Sequence, residues 1–408
     1  MALAEIPILF VLAGLVFYIV LAGADFGAAI WQVTAPRTPE GEQLRNFAHH
    51  AMAPVWEANH VWLIFVLTVT WTAYPAAFGS LASTLSIALS VAAFGIIVRG
   101  AAYAMSSGTS NPREVRRIDS VSAISSVLAP FALGACVGAL ASGRVPYGNA
   151  RGDLFSSWLN PTSILIGVLA VVFSAYLAAV YLSADAVRRG RDELVPAYRR
   201  RALGAGAAAG VLAVVGLVVL HEDAHSLYHD LVAGAGLPAL IVSVLAGAGA
   251  MALVALGRFE PARYTAAAAV AATVAGWALA QKPQFLPGLT IEQAAAPHDT
   301  LVAVIVAVVG GGIILFPSLT LLLRLTLVGR LGPAHEPAEP AERPPAGRPL
   351  LPVDQARAGR FAIACLVGGI GLLTVAEAAW AHAVGVVLLF GFVAAGFLGA
   401  APRLLTEP

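Results

Sequence analysis

The sequence predicts an all-α integral membrane protein: a nine-helix core followed by a C-terminal two-helix hairpin. Three observations predict it. Apolar residues fill 59% of the 408 positions and charged residues only 12%, against about 25% charged in soluble domains. Mean hydropathy is +0.82, and the apolar residues come in long runs of the kind a bilayer-crossing helix needs, about 20 residues each. Arginines gather in alternate breaks between those runs. The formal net charge of +1 gives no global attraction to nucleic acid, and no nucleic-acid partner is expected.

The elements follow in order. The first run, near 6–31, lacks a basic start and a small-residue cleavage site, and Asp25 follows without a break. It reads as a spanning helix and not as a cleaved signal. Further runs lie near 52–74, 77–104, 120–142 and 161–184. Those near 202–220, 237–257 and 263–281 are shorter or glycine-rich, which helices in bilayers tolerate when neighbours pack against them. A ninth run near 299–325 closes a core over 1–328. Residues 329–360, with GPAHEPAEPAERPPAGRP, have the composition of a disordered linker. Runs near 361–377 and 380–400 then form a transmembrane hairpin within 361–408. Glu377 and His382 bracket its turn, where capping accounts for them. Cys136 and Cys365 both sit in apolar runs and read as buried small hydrophobes, not as a disulfide or a redox pair.

Orientation follows from the basic residues, which mark the cytoplasmic side of short loops. With the N-terminus outside, thirteen arginines between Arg37 and Arg263 fall in inner loops, while the outer loops hold Arg144, Arg151 and Lys282. That asymmetry agrees with an odd number of spans before the linker and puts the linker in the cytoplasm. The expected location is the bacterial inner membrane.

Ionisable groups inside a membrane cost about 2.5–3.5 kcal/mol on insertion scales, so each needs a reason. Asp25 lies near the inner end of the first span, Glu57 at the inner start of the second, and Arg99 near the inner end of the third. All three therefore fall at one depth, in the cytoplasmic third. Such a cluster suits a proton relay, since a carboxylate in low dielectric can hold or release a proton near neutrality. It equally suits a salt bridge that locks three helices together. Within PVWEANHVWL, Asn59 and His60 follow Glu57 inside one turn, and Trp56 suits an interface anchor. His60 reads as a hydrogen-bonding interior residue and not as a metal ligand. His49 and His50 are expected to be solvated in the first inner loop. His221, His225 and His229 are spaced four apart, which permits a metal site, but beside Glu222 and Asp223 in an outer loop they read as a solvated turn. No metal site is expected. The sequence holds no phosphate loop, haem-attachment CxxCH or nucleophile elbow.

Four stretches occur in order within the first hundred or so residues: LAGADFGAAIW, PVWEANHVWLIF, AYPAAFGSL and IIVRGAAYA. Together with GWALAQKPQFLPGLTIEQAAAPHDTL and LFPSL further on, they resemble subunit II of the cytochrome bd-type quinol oxidases over about 1–328. The resemblance implies two four-helix bundles plus a peripheral helix. It implies a partner, subunit I, that carries haem b and haem d and the quinol site, with no haem ligands on this chain and in some members a structural quinone. It makes this chain a support for quinol oxidation and dioxygen reduction on the partner, lining a cytoplasmic proton-uptake route. By it Asp25 and Glu57 become proton carriers, His60 a further candidate, and Trp56, Asn59 and Arg99 their surround. Ala22 stands where many members have an acid, Glu57 where many have aspartate, and His60 where many have glutamate, so the route is expected to be rewired here. The linker and hairpin exceed the usual family chain and suit the place of a small accessory subunit.

A different class, a multi-span secondary transporter with a buried Asp/Glu/Arg cluster, is the alternative. Transporters often show inverted repeats with broken helices at mid-membrane, and no repeat is visible here at matching positions.

Overall fold

The computed structural model describes residues 2–106, 112–327, 355–375 and 378–400, without the side chains at 50, 52–58, 103–106, 112–117, 119 and some positions beyond 315. Most of the linker and Glu377 lie outside the described residues, as do the side chains of Trp56, Glu57, His50 and His382. The chain divides into two units, Met1–Pro317 and Ser318–Pro408.

After a short turn the first unit opens with α1 (Ile6–Val33) and α2 (Pro39–Ala73). α2 begins at 39 and not near 52. Thr38 caps it, accepting from Gly41 N–H at 3.2 Å, with Pro39, Glu40 and Glu42 in the first turn, all favourable at a helix start. Hydropathy misses this part because it is amphipathic: Leu44, Phe47, Ala48 and Ala51 are buried at helical spacing. His49, expected in a solvated loop, is therefore half-buried on a helix, and His50 lies on the same helix.

The expected span near 77–104 is instead two helices, α3 (Pro75–Thr84) and α4 (Ser86–Ser106), bent by 82°. α2 ends at Tyr74, with φ −136° and ψ 60°, because Pro75 lacks an N–H and disfavours helical geometry in the residue before it. The freed Ala73 carbonyl accepts from Ala296 N–H at 2.8 Å, and the buried Tyr74 hydroxyl donates to Ala4 O at 2.6 Å.

Next come α5 (Pro112–Ala141), α6 (Pro161–Arg188), α7 (Val195–Asp223), α8 (His225–Val232), α9 (Leu237–Ala255) and α10 (Phe259–Gln281). A β-hairpin of β1 (Gln284–Leu286) and β2 (Leu289–Thr290), then α11 (Ile291–Ala294), leads to α12 (His298–Leu327). Among the described residues six helices are long and apolar enough to cross a membrane, seven if α3 and α4 count as one bent span.

α1 lies at the centre, packed on α2, α5 and α6. Its seam with α6 is made of small residues: a Cβ at Gly27 would overlap the Ser174 backbone, and one at Gly23 would meet Leu177. Gly134, Gly138 and Gly167 do the same between α5 and α6. Small residues let helix backbones approach closely in lipid, where van der Waals contact drives association.

The order α1–α5 is echoed by α6–α10. In each half the first helix packs on the second and the fourth on the fifth. In each the second helix breaks at one residue of the same conformation, Tyr74 at −136°/60° and Ala224 at −139°/55°, before a short helix. The sequence shows no matching motif, because the two breaks share a backbone geometry and not residue types.

In the second unit, α13 (Gln355–Val375) and α14 (Ala379–Ala400) pack as a hairpin, with Gly368 and Gly369 against Leu388 and Leu389 and Cys365 against Gly391. Cys136 and Cys365 are buried, free thiols.

Candidate functional site: a buried aspartate–arginine hub

Asp25 is 2% exposed and Arg99 8%. They face each other although they lie 74 positions apart. Arg99 Nε donates to Asp25 Oδ2 at 3.0 Å and Arg99 Nη2 to the Asp25 main-chain carbonyl at 3.0 Å; Nη2 also bonds Asp25 Oδ1. The guanidinium thus grips both carboxylate oxygens, the fork geometry that makes arginine pairs strong. From α2, Asn59 Nδ2 donates to Asp25 Oδ2 at 3.2 Å. From α5, the Ser126 and Ser122 hydroxyls accept from Arg99 Nη1, the latter at 3.5 Å. Phe26 lies beneath the guanidinium, 5.4 Å from ring centre to Cζ. Opposite charges with full hydrogen bonding can be buried together where either alone could not.

Four helices, α1, α2, α4 and α5, therefore meet at one ion pair. Sequence reasoning brings Asp25, Glu57 and Arg99 to one depth; the structure brings Asp25 and Arg99 into contact, with Asn59 as the residue of α2 that joins them. His60 is half-buried on α2 beside Asn59. Trp56 and Glu57 lie on α2 one turn or less before Asn59, but their side chains fall outside the description. Ser122 and Ser126 escape sequence reasoning, since serines are cheap in an apolar helix; their spacing of four was the available signal. Buried hydrogen-bonding capacity remains at Asn59 Oδ1 and the Tyr18 hydroxyl, Tyr18 lying two turns before Asp25 on α1.

Further charged clusters sit at helix ends. Asp185 accepts from Arg188 at 2.5 Å and from Arg263 at 3.0 Å, joining α6 to α10, with Arg263 over the Tyr181 ring at 4.4 Å. Asp223 accepts from the Thr162 hydroxyl at 2.6 Å and from Arg144 at 2.5 Å, and Lys282 pairs with Glu5 at 2.6 Å. His221, His225 and His229 straddle the break between α7 and α8 and are exposed, the first two rings 5.0 Å apart. Among the described residues no group of three or more His, Cys, Asp or Glu could hold a metal ion.

The fold and the hub define a polytopic helical membrane protein with one charged centre buried where four of its helices meet. The family description "Cytochrome bd terminal oxidase subunit II" matches residues 3–326, and the chain belongs to that family. It is thus a subunit II of a respiratory terminal oxidase. The chain is 24% identical over 221 residues to a Bacillus subtilis (strain 168) protein bearing the name cytochrome bd menaquinol oxidase subunit II, covering 53% of this chain and 62% of that one. The matched stretch therefore spans about six tenths of that relative's length. It is also similar to a chain of the bd oxidase from Geobacillus thermodenitrificans, with a TM-score of 0.66, 25% identity, and coverage of 80% of this chain and 99% of that one.

Proposed function

We propose that this chain supports a haem-bearing subunit I in quinol oxidation and the reduction of dioxygen to water, and that it lines the cytoplasmic proton-uptake route. In this reading the core has nine spans, as two four-helix bundles plus a peripheral helix, with the N-terminus outside and the hairpin of α13 and α14 in the place of an accessory subunit. The haems b and d and the quinol site belong to the partner, and the electron transfers take place there. A structural quinone, where present, adds support and not turnover.

One observation carries the proton role: a carboxylate, Asp25, buried among apolar helices yet wrapped by polar groups of three neighbouring helices. Asp25 accepts and passes the proton, Arg99 balances its charge, and Asn59 orients it. Glu57 and His60 on α2 lead from the inner face. The Ser122 and Ser126 hydroxyls hold Arg99 in position. The transporter alternative rests on buried charge and span number alone.

The test is co-expression with the haem-bearing subunit. The purified complex is expected to show haem b and d bands in its reduced-minus-oxidised spectrum and quinol-dependent oxygen uptake. Asp25→Asn is expected to cut uptake per haem about tenfold or more, the scale of a lost proton-transfer group, in the fraction of complex that still assembles with its haems. A colourless preparation sinks the oxidase reading. Full uptake in Asp25→Asn sinks the relay and leaves the lock.

A further inference from the structure

The arginines at the arginine-rich end of α6, α7, α9 and α10 divide into three sets: Arg189 lies over the Phe47 ring and Arg201 over those of Trp31 and Tyr198, and the others either hold a carboxylate or do not. Arg188 and Arg263 are committed to Asp185, and Arg191 to Glu193 at 2.5 Å. Arg199, Arg200 and Arg258 have no carboxylate partner among the described residues. Arg199 reaches from α7 to the end of α9, donating through Nη2 to Ala255 O, while its Nε is buried without an acceptor. Arg200 is exposed beside it, and Arg258 is exposed in the turn that follows α9. Glu260, the acid of the next turn, is taken by Arg263 at 3.3 Å. A buried N–H normally has a partner, so this end of the α7–α9 pair is charged, directional and short of an anion.

The surface leading away from it is apolar. α7 and α9 touch far less extensively than α6 with α7 or α9 with α10; Met251 crosses between them at Gly206. On either side, a Cβ at Gly204, Gly247 or Gly249 would have no neighbour within 4 Å. The flanks carry exposed Val211, Val214, Val218, Ile241, Leu245 and Leu256. Gly204 lies five residues from Arg199, and Gly249 six from Ala255, so the open strip begins about 8 Å from the arginines at 1.5 Å per residue.

We propose that this is a binding site for an anionic phospholipid. Arg199, Arg200 and Arg258 hold its phosphate, and its acyl chains run along the small-residue strip between α7 and α9. A phosphate supplies the acceptor that Arg199 Nε lacks, and arginine's planar fork suits it. Hydrocarbon fills a shallow apolar strip that no side chain of this chain fills. Lysine is nearly absent from the sequence, so these sites are arginine by composition; what sets the three apart is that their neighbours hold a carboxylate or lie over an aromatic ring and, among the described residues, they do neither.

The test is native mass spectrometry of the full-length chain, purified in mild detergent together with whatever subunit accompanies it. The probes are phosphatidylglycerol, phosphatidylcholine and inorganic phosphate. Phosphatidylglycerol is expected to bind more tightly than phosphatidylcholine. The Arg199→Gln/Arg200→Gln/Arg258→Gln variant is expected to weaken phosphatidylglycerol about tenfold or more, from the loss of three charges at an anionic headgroup. Arg188→Gln, which removes a charge from the paired set, is expected to leave it unchanged. Arg258→Gln alone, at an exposed position, gives a two- to threefold loss on the same basis and serves if the triple variant does not fold. Equal phosphatidylglycerol affinity in wild type and variants overturns the proposal. So does displacement of the lipid by millimolar inorganic phosphate, which makes the site one for free anions.

Discussion

At Asp25 the chain buries a charge and surrounds it completely: Arg99 on both oxygens, Asn59 on one, and serines behind the guanidinium. Breaking such a pair from one side is costly because the survivor stays charged and buried, about 3–5 kcal/mol. Arg99→Gln is therefore expected to lower the thermal midpoint of the detergent-purified protein strongly. The double variant Asp25→Asn/Arg99→Gln should recover part of that loss, and a double-mutant cycle reads the coupling. Additive losses would mean that the pair does not act as a unit. Ser126→Ala removes one acceptor from Arg99 and should cost about 1 kcal/mol. The hub's charged members were legible in the sequence because charge is rare in an apolar run. Its serines were not, because a hydroxyl can satisfy itself on its own helix, as Ser125 does on Ser122 O at 2.8 Å. For the same reason a hydropathy profile passes over them.

Among the helices, the α1–α6 seam depends on a missing side chain. Gly27→Leu must push the Ser174 backbone away, and overpacking of this kind costs about 1–3 kcal/mol or more. Gly310→Ala on α12, with nothing near its Cβ, should instead be neutral or stabilise by up to about 1 kcal/mol, since alanine favours the helix. Paired thermal melts decide it; similar losses at both sites would deny the seam its role. Element positions were largely legible as apolar runs. What was lost were the amphipathic start of α2, the 82° bend between α3 and α4, α8, and the β-hairpin. Each is either polar enough to leave the hydropathy signal or too short to make one. The break at Pro75 was legible, since it falls between the runs near 52–74 and 77–104, but Leu85, where α3 gives way to α4, has no proline to mark it.

Across the whole molecule, the arginine distribution predicts which ends face the cytoplasm. Arg189→Cys should be labelled by a membrane-impermeant maleimide only from inside-out vesicles, and Tyr147→Cys, in the exposed turn after α5, only from the periplasmic side. Cys136 and Cys365 are buried and should give little background. Labelling of both from one side would overturn the orientation. The repeated pattern of α1–α5 and α6–α10 was hidden from the sequence because helix packing constrains size and backbone geometry and leaves residue identity free. Among the described residues, the first half carries an ion pair at the meeting of four helices, and the second carries Asp185 paired with Arg263 and with Arg188, which is open to solvent.

The carbonyl left over where α2 breaks has a consequence for the order in which the chain is made. Ala73 leaves the ribosome long before Ala296, whose N–H it will accept at 2.8 Å. Through most of synthesis and membrane insertion that carbonyl has to borrow water or headgroup donors. The first two helices can thus enter the bilayer early, but the corner between α2 and α3 is sealed only when the segment ahead of α12 arrives. A nascent chain arrested before that point would hold an unfinished corner, open to quality-control proteases, and a segment translated much later acts as the clasp for an early one.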